Sequence, residues 1–205
     1  MKDEELEARE EEESVFANGF KPDGKKLTNA VFEWIETVLV AFCAVALIFT
    51  FLCKVVTVEG PSMNYTLYEG QKLIISSVFY TPQRGDVVVI DTPKFSEPII
   101  KRIIAVGGDT VDIDFDNWKT TVTTKDGETI VYEDEEYVNF VYGTDRSASG
   151  YLVYPYTVPE GDVFVMGDNR THSTDSREKG SFSADDILGK AVFRIWPFDK
   201  LGILN

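Results

Sequence analysis

Residues 37–53 read TVLVAFCAVALIFTFLC, 17 residues with no charge, glycine or proline. A helix apolar on every face has no place in a small water-soluble domain, so this run constrains the fold more than any other feature. With the mixed flanks 31–36 and 55–56 the helix reaches about 23 residues, roughly 35 Å long, against a hydrocarbon core of about 30 Å. We read a transmembrane anchor over residues 31–54. The run is too long and starts too late for a cleavable leader, and no small-x-small site follows it before Lys54-Val55-Val56. Lys21, Lys25 and Lys26 on one side, against Lys54 and Lys72 on the other, favour a cytoplasmic N-terminus and an extracytoplasmic remainder at the plasma membrane.

Ahead of the span, KDEELEAREEEE at 2–13 has too few apolar side chains to offset the entropy of ordering. Residues 1–30 are therefore read as an acidic tail, disordered or a solvated helix, with a linker around Gly19, Pro22 and Gly24. The net charge of −15 gives the chain no basic patch with which to displace counterions from nucleic acid. Its two cysteines, Cys43 and Cys53, both lie in the apolar run. They can build neither a disulfide framework nor a zinc cluster, and no metal or cofactor is expected.

From residue 55 the pattern changes to short β-branched and aromatic runs at 72–79, 86–91, 98–106, 120–124, 128–133, 136–143, 162–168 and 190–197. Gly/Pro/Asp turns separate them, with Lys125-Asp126-Gly127 a hairpin candidate. The fold class is mainly β. A single N-terminal transmembrane helix precedes an all-β, sandwich- or barrel-like ectodomain over 55–205, with an insert at about 112–160.

Three local features carry chemistry. Ser62 follows Gly60-Pro61, a pair that forces a sharp turn and presents a hydroxyl beside backbone N–H groups. Lys101 interrupts PIIKRII, and strand alternation places it on one face with Ile99 and Ile103. A free lysine is neutral in only about one molecule in two thousand at pH 7, but burial lowers its pKa by several units and makes it a usable base. Residues 167–177, GDNRTHSTDSR, hold more polar groups than a solvated loop needs; Asp168/Arg170 and Asp175/Arg177 are spaced to pair. Taken singly, a turn serine, a surface lysine and a polar loop are the plainer readings.

Together they resemble the type I signal peptidases, the bacterial leader peptidases. The resemblance covers about residues 31–205. It rests on Gly-Pro-Ser62-Met63 with Thr66-Leu67, on Arg84-Gly85-Asp86, on Lys101-Arg102 through Gly107-Gly108-Asp109, and on Gly167-Asp168-Asn169-Arg170 through Ser173, Asp175 and Arg177. The family implies Ser62 as nucleophile, Lys101 as general base and Ser173 as a hydroxyl that hydrogen-bonds the lysine amine. Asp175 and Arg177 would hold the site together, with Arg102, Gly167 and Asp168 as further supports. The Ser62 N–H would stabilise the oxyanion, and the family's variable second donor falls on Gly60, which has no side chain. Val58, Met63 and Ile100 would wall shallow pockets for Ala-x-Ala-like sites of secretory preproteins, and the peptide would lie as a strand beside 55–61 and 98–101. Leu67-Tyr68 and Phe79-Tyr80 read equally as residues that meet lipid headgroups or as core positions, and the protein is expected to act as a monomer. Two positions depart from the family pattern: Tyr65, where proline is usual, implying a looser turn, and Gly107, where proline is common.

The rivals are few. A Ser-His-Asp hydrolase would need His172, the single histidine, in the same loop as Ser173 and Asp175, whereas triads gather groups from separate elements. A non-catalytic anchored β-domain draws support only from Tyr65. A self-cleaving Ser/Lys repressor would need a DNA-binding head in place of the span.

Overall fold

The computed structural model describes residues 24–117, 119–132 and 152–204. The expected strand at 136–143, the acidic run 134–136 and the tail up to residue 23 fall outside these. Two compact units divide the chain, Met1–Phe49 and Thr50–Asn205.

In the first unit, helix α1 (Gly24–Leu52) begins at Gly24 rather than at residue 31, because Lys25, Lys26 and Leu27 continue the helix through what composition suggested was linker. Every described side chain from 31 to 47 is exposed, including Phe32, Trp34, Val40 and Phe42. Among the described residues no helix is long and apolar enough to cross a membrane. The side chains of 48–53, the end of the apolar run, lie outside the described ones.

The second unit is mainly β. Its strands are β1 (Cys53–Thr57), β2 (Lys72–Ser76), β3 (Val87–Ile90), β4 (Ile99–Val106), β5 (Thr110–Asp114), β6 (Lys119–Thr123), β7 (Thr129–Tyr132), β8 (Tyr156–Thr157), β9 (Asp162–Met166), β10 (Phe182–Ser183), β11 (Ile187–Trp196) and β12 (Gly202–Ile203), with a one-turn helix α2 (Ser176–Lys179) before β10. An eight-stranded sheet runs β1-β2-β11-β3-β4-β9-β10, with β12 also on β11; a four-stranded sheet runs β7-β6-β5-β8.

Alternation explains why the large sheet is buried on both faces. Val87 and Val89 of β3 pack with Val58, Met63, Leu67, Leu73, Ile75 and Ala191, while Val88 and Ile90 pack with Ile103, Val163, Val165 and Phe182. Each fully buried aliphatic side chain contributes about 1.5–3 kcal/mol. A third cluster joins the large sheet's Ile104, Phe164 and Met166 to Val111, Ile113 and Val122 of the small sheet. The segment expected as an insert thus supplies the second sheet and covers one face of the first. β5 escapes sequence inspection because Asp112 and Asp114 are poor strand formers. They take its outward positions, while Val111 and Ile113 are buried.

Leu67 is fully buried in the first cluster and is not a surface anchor. Tyr80 is half-buried and donates its hydroxyl to Asp86 (2.7 Å). Phe79 and Tyr68 are exposed.

The ladder leaves two edges open at one place. β9 pairs with β4 only from Arg102 onward, so among the described residues Ile99, Ile100 and Lys101 have β3 on one side and no strand on the other. β1 pairs with β2 alone.

Candidate active site

Ser62 sits in the turn that follows β1. Gly60 takes φ +74, a conformation glycine adopts without strain, and Pro61 then fixes the chain so that Met63 plugs into the core and Ser62 stays half-buried above it. The turn closes through Asn64 N–H to Pro61 O and Leu67 N–H to Met63 O (3.0 and 2.8 Å). Tyr65 takes φ +82, which proline cannot adopt, so the course of this turn excludes the residue usual in the family.

Lys101 comes from β4, opposite Val88, and is 4% exposed. Its ammonium donates to Ser62 Oγ at 2.7 Å and to Ile100 O at 3.1 Å. Burial pulls its pKa down to about 8; Asp175 and Asp168 pull it up and Arg177 pushes it further down. A hydroxyl and an amine of this kind at hydrogen-bond distance are able to exchange a proton.

The polar loop locks onto this pair. Asn169 N–H donates to Ser62 O (3.0 Å) and Asn169 Nδ2 to Pro61 O (3.1 Å), tying the serine turn to the end of β9. Asp175 caps α2 and is fully buried; its carboxylate receives Arg177 Nε and Nη2 (both 2.9 Å), Gly167 N–H (2.9 Å) and Ser173 Oγ (2.7 Å). Burial raises the Asp175 carboxyl pKa, but the charge and hydrogen bonds of Arg177 outweigh it and hold it below the usual range.

Two expectations differ from these bonds. Ser173 donates its proton to Asp175, while the Lys101 ammonium, a donor only, gives its bonds to Ser62 Oγ and Ile100 O and not to Ser173 Oγ. Asp168 takes its ion pair across the sheet, from Arg102 Nε and Nη2 (2.9 and 2.8 Å), while Arg170 Nε donates to Gly167 O (3.2 Å). Arg102 also reaches Gly85 O (2.7 Å), and Thr66 Oγ1 donates to Asp168 Oδ2 (2.5 Å). Thr66 and Asn169 had no role assigned from sequence. Both stand in the quoted motifs, yet nothing in their local pattern shows which distant group they meet.

Beside the pair lies a cleft of about 340 Å³ lined by Val56, Thr57, Glu59, Val89, Glu97, Pro98, Ile100 and Leu188. Ile100 is on its wall as expected. Val58 and Met63, each 1% exposed, lie in the core instead, because their side chains point into the sheet face. His172 is exposed, and its Nδ1 faces Thr171 Oγ1 at 2.9 Å, within its own loop.

Scaffold and pair together describe a mainly β hydrolase with a buried lysine amine on a serine hydroxyl. A family profile described as "Signal peptidase, peptidase S26" matches residues 31–196, and the chain belongs to that family. It is 34% identical over 177 residues to Signal peptidase I of Bacillus licheniformis, covering 84% of this chain and 92% of that one. It is 32% identical over 186 residues to Signal peptidase I P of Bacillus subtilis subsp. natto, covering 89% and 97%. Signal peptidase IB of Staphylococcus aureus (strain COL) is 31% identical over 186 residues, covering 83% and 92%. The crystal structure of a signal peptidase I from Enterococcus faecalis V583 is 27% identical and covers 55% of this chain and 98% of that one, with a TM-score of 0.43.

Proposed function

We propose that this peptidase removes signal peptides from secretory preproteins, cutting after Ala-x-Ala-like sites through an acyl-enzyme on Ser62. The observation that carries the reading is the 2.7 Å contact between Ser62 Oγ and the buried Lys101 amine. With a pKa of about 8, about one lysine in ten is neutral at pH 7, roughly two hundred times the share of a free lysine. Neutral Lys101 takes the Ser62 proton as the oxygen attacks the scissile carbonyl, then hands it to the leaving amine. The same amine activates the water that releases the acyl group. The Ser62 N–H faces the developing oxyanion; the Gly60 position offers backbone only. Asp175, fixed by Arg177 and Ser173, holds the lysine's electrostatic surroundings, and Arg102–Asp168 keeps β4 against the end of β9.

The preprotein lies extended between the open edges of β1 and β4, with Ile100, Val56, Val89 and Leu188 admitting only small side chains. Residues 31–54 form a single-pass anchor, since the uncharged run 37–53, exposed over its described part 37–47, is stable in lipid and unstable in water. The anchor puts residues 1–30 in the cytoplasm and 55–205 outside the plasma membrane, where the scissile bond emerges. The exposed Phe79 and Tyr68 rest on headgroups.

The test incubates the full chain, in detergent and in lipid, with a preprotein bearing an Ala-x-Ala site, beside Ser62→Ala and Lys101→Ala. Cleavage at that site by the parent, lost in both variants while each keeps the parent's folded signature, supports the reading. No cleavage by the parent in either medium would promote the non-catalytic β-domain.

A further inference from the structure

The cleft beside Ser62 carries charge at two places in an otherwise neutral lining. Glu59 stands on the wall that continues β1, and Glu97 on the opposite wall, just ahead of Pro98 and β4. Both are exposed, and among the described residues neither has an ion-pair or hydrogen-bond partner. Other carboxylates near the site behave differently: Asp168 and Asp175 are each tied to an arginine. Two carboxylates lining one groove favour a cation there, and the groove's own lining offers none.

From this we infer that Glu59 and Glu97 are specificity-determining residues that select preproteins carrying a lysine or arginine a few residues before the cut. The inference deepens the proposed function and rests on it. The register follows from strand geometry. Glu97 precedes Lys101 by four residues and Glu59 precedes Ser62 by three, the latter across the Gly60-Pro61 turn, so neither can lie more than about 14 Å back along the chain from its member of the reacting pair. Four antiparallel pairings separate β1 from β4, so the two edges run in the same direction, and a peptide laid parallel to both brings the residues about four or five places before its scissile bond past Glu59 and Glu97. The apolar stretch between receives the small side chains, and the stem of a lysine or arginine crosses Val56 and Pro98 to reach the two carboxylates.

The experiment uses the full chain in detergent and peptides sharing one Ala-x-Ala site, with lysine, glutamine or glutamate at the fourth and fifth positions before the cut. For the parent, kcat/KM is expected to fall from lysine to glutamine to glutamate, about three- to tenfold from first to last at low salt. The span should shrink in 0.5 M salt, close in Glu59→Gln/Glu97→Gln, and reverse in Glu59→Lys/Glu97→Lys. The glutamine peptide is the reference within each enzyme: the lysine and glutamate rates are divided by its rate, so that a general change in activity cancels. Equal rates for all three peptides, or a lysine preference that survives in the glutamine double variant, overturn the inference while leaving the peptidase reading standing. Failure of the parent to cut any peptide removes that reading and the inference with it.

Discussion

Gly167 and Ser173 stand so close that a β-carbon on Gly167 would lie 2.3 Å from Ser173 Oγ and 2.5 Å from the Ser62 carbonyl oxygen. Both contacts are below any normal van der Waals separation, and the second belongs to the nucleophile's own backbone. Gly167→Ala therefore has to push the serine turn away from β9. Activity on an Ala-x-Ala substrate should drop at least a hundredfold, in kcat more than in KM. Overpacking should cost about 1–3 kcal/mol, read as a fall in the thermal midpoint. Unchanged kcat would show that the serine turn is not held where the structure puts it.

The Lys101 pKa of about 8 sets the pH profile. As the proposed general base the amine acts only when neutral, so kcat/KM should rise with pH, roughly tenfold per unit below 8, and level off above it. Stability moves with it. The folded state lowers the lysine's pKa from 10.5 to about 8, so the unfolded chain binds more protons between these values. The resulting destabilisation is fully present below pH 8 and gone above about 10.5. It amounts to about 3 kcal/mol, against about 1 kcal/mol for the hydrogen bond to Ser62. Lys101→Met should accordingly be inactive yet melt several degrees higher at pH 7, with the gain vanishing near pH 11. A variant that melts lower at pH 7 would mean the amine is better solvated than its burial implies.

Asp175 and Arg177 are both fully buried. Asp175→Asn leaves a guanidinium in the interior with its charge unpaired, at a cost of about 3–5 kcal/mol. It also removes a charge that holds the Lys101 pKa up, so in whatever protein remains folded the rising limb of the pH profile should move to lower pH. Because the Asp175 carboxyl pKa is depressed by folding, its contribution is complete above about pH 4 and disappears as pH falls through the folded value. Acid titration by circular dichroism should find the parent losing structure at low pH, with Asp175→Asn less steep there. A melting point equal to the parent's would remove the pair from the site's support.

Tyr65 holds a left-handed conformation that costs an L-residue about 1–2 kcal/mol. Tyr65→Gly should raise the thermal midpoint by a few degrees with kcat close to the parent's. Tyr65→Pro, although it restores the residue usual in the family, should lower both, since proline cannot reach φ +82. Higher activity in the proline variant would show that the turn has a second, better course.

Much of this was legible in the residues. The strands expected at 86–91 and 98–106 are β3 and β4 within a residue at each end, because runs rich in valine and isoleucine leave little else for a doubly buried sheet to be, even with Lys101-Arg102 inside the second. Ser62 and Lys101 were chosen by motif, and the fold brings them to 2.7 Å. What sequence could not supply was partnership across the sheet. Asp168 reads naturally as the mate of Arg170, two residues away, but β4 and β9 are neighbours in register at Arg102 and Met166, and this puts Arg102 within reach instead. Val58 and Met63 failed as pocket walls for a related reason: which face of a strand or turn is the core depends on what the other strands cover.

The shortness of β9's pairing has a consequence for what such an enzyme can recognise. With β4 bare from Ile99 to Lys101 and β1 bare along its outer side, the resting molecule is a sheet with one row missing. Its natural complement is any extended backbone, since every peptide carries the same amide groups. On the proposed function, tolerance of many sequences follows from the architecture, and discrimination is left to the few side chains that interrupt the gap.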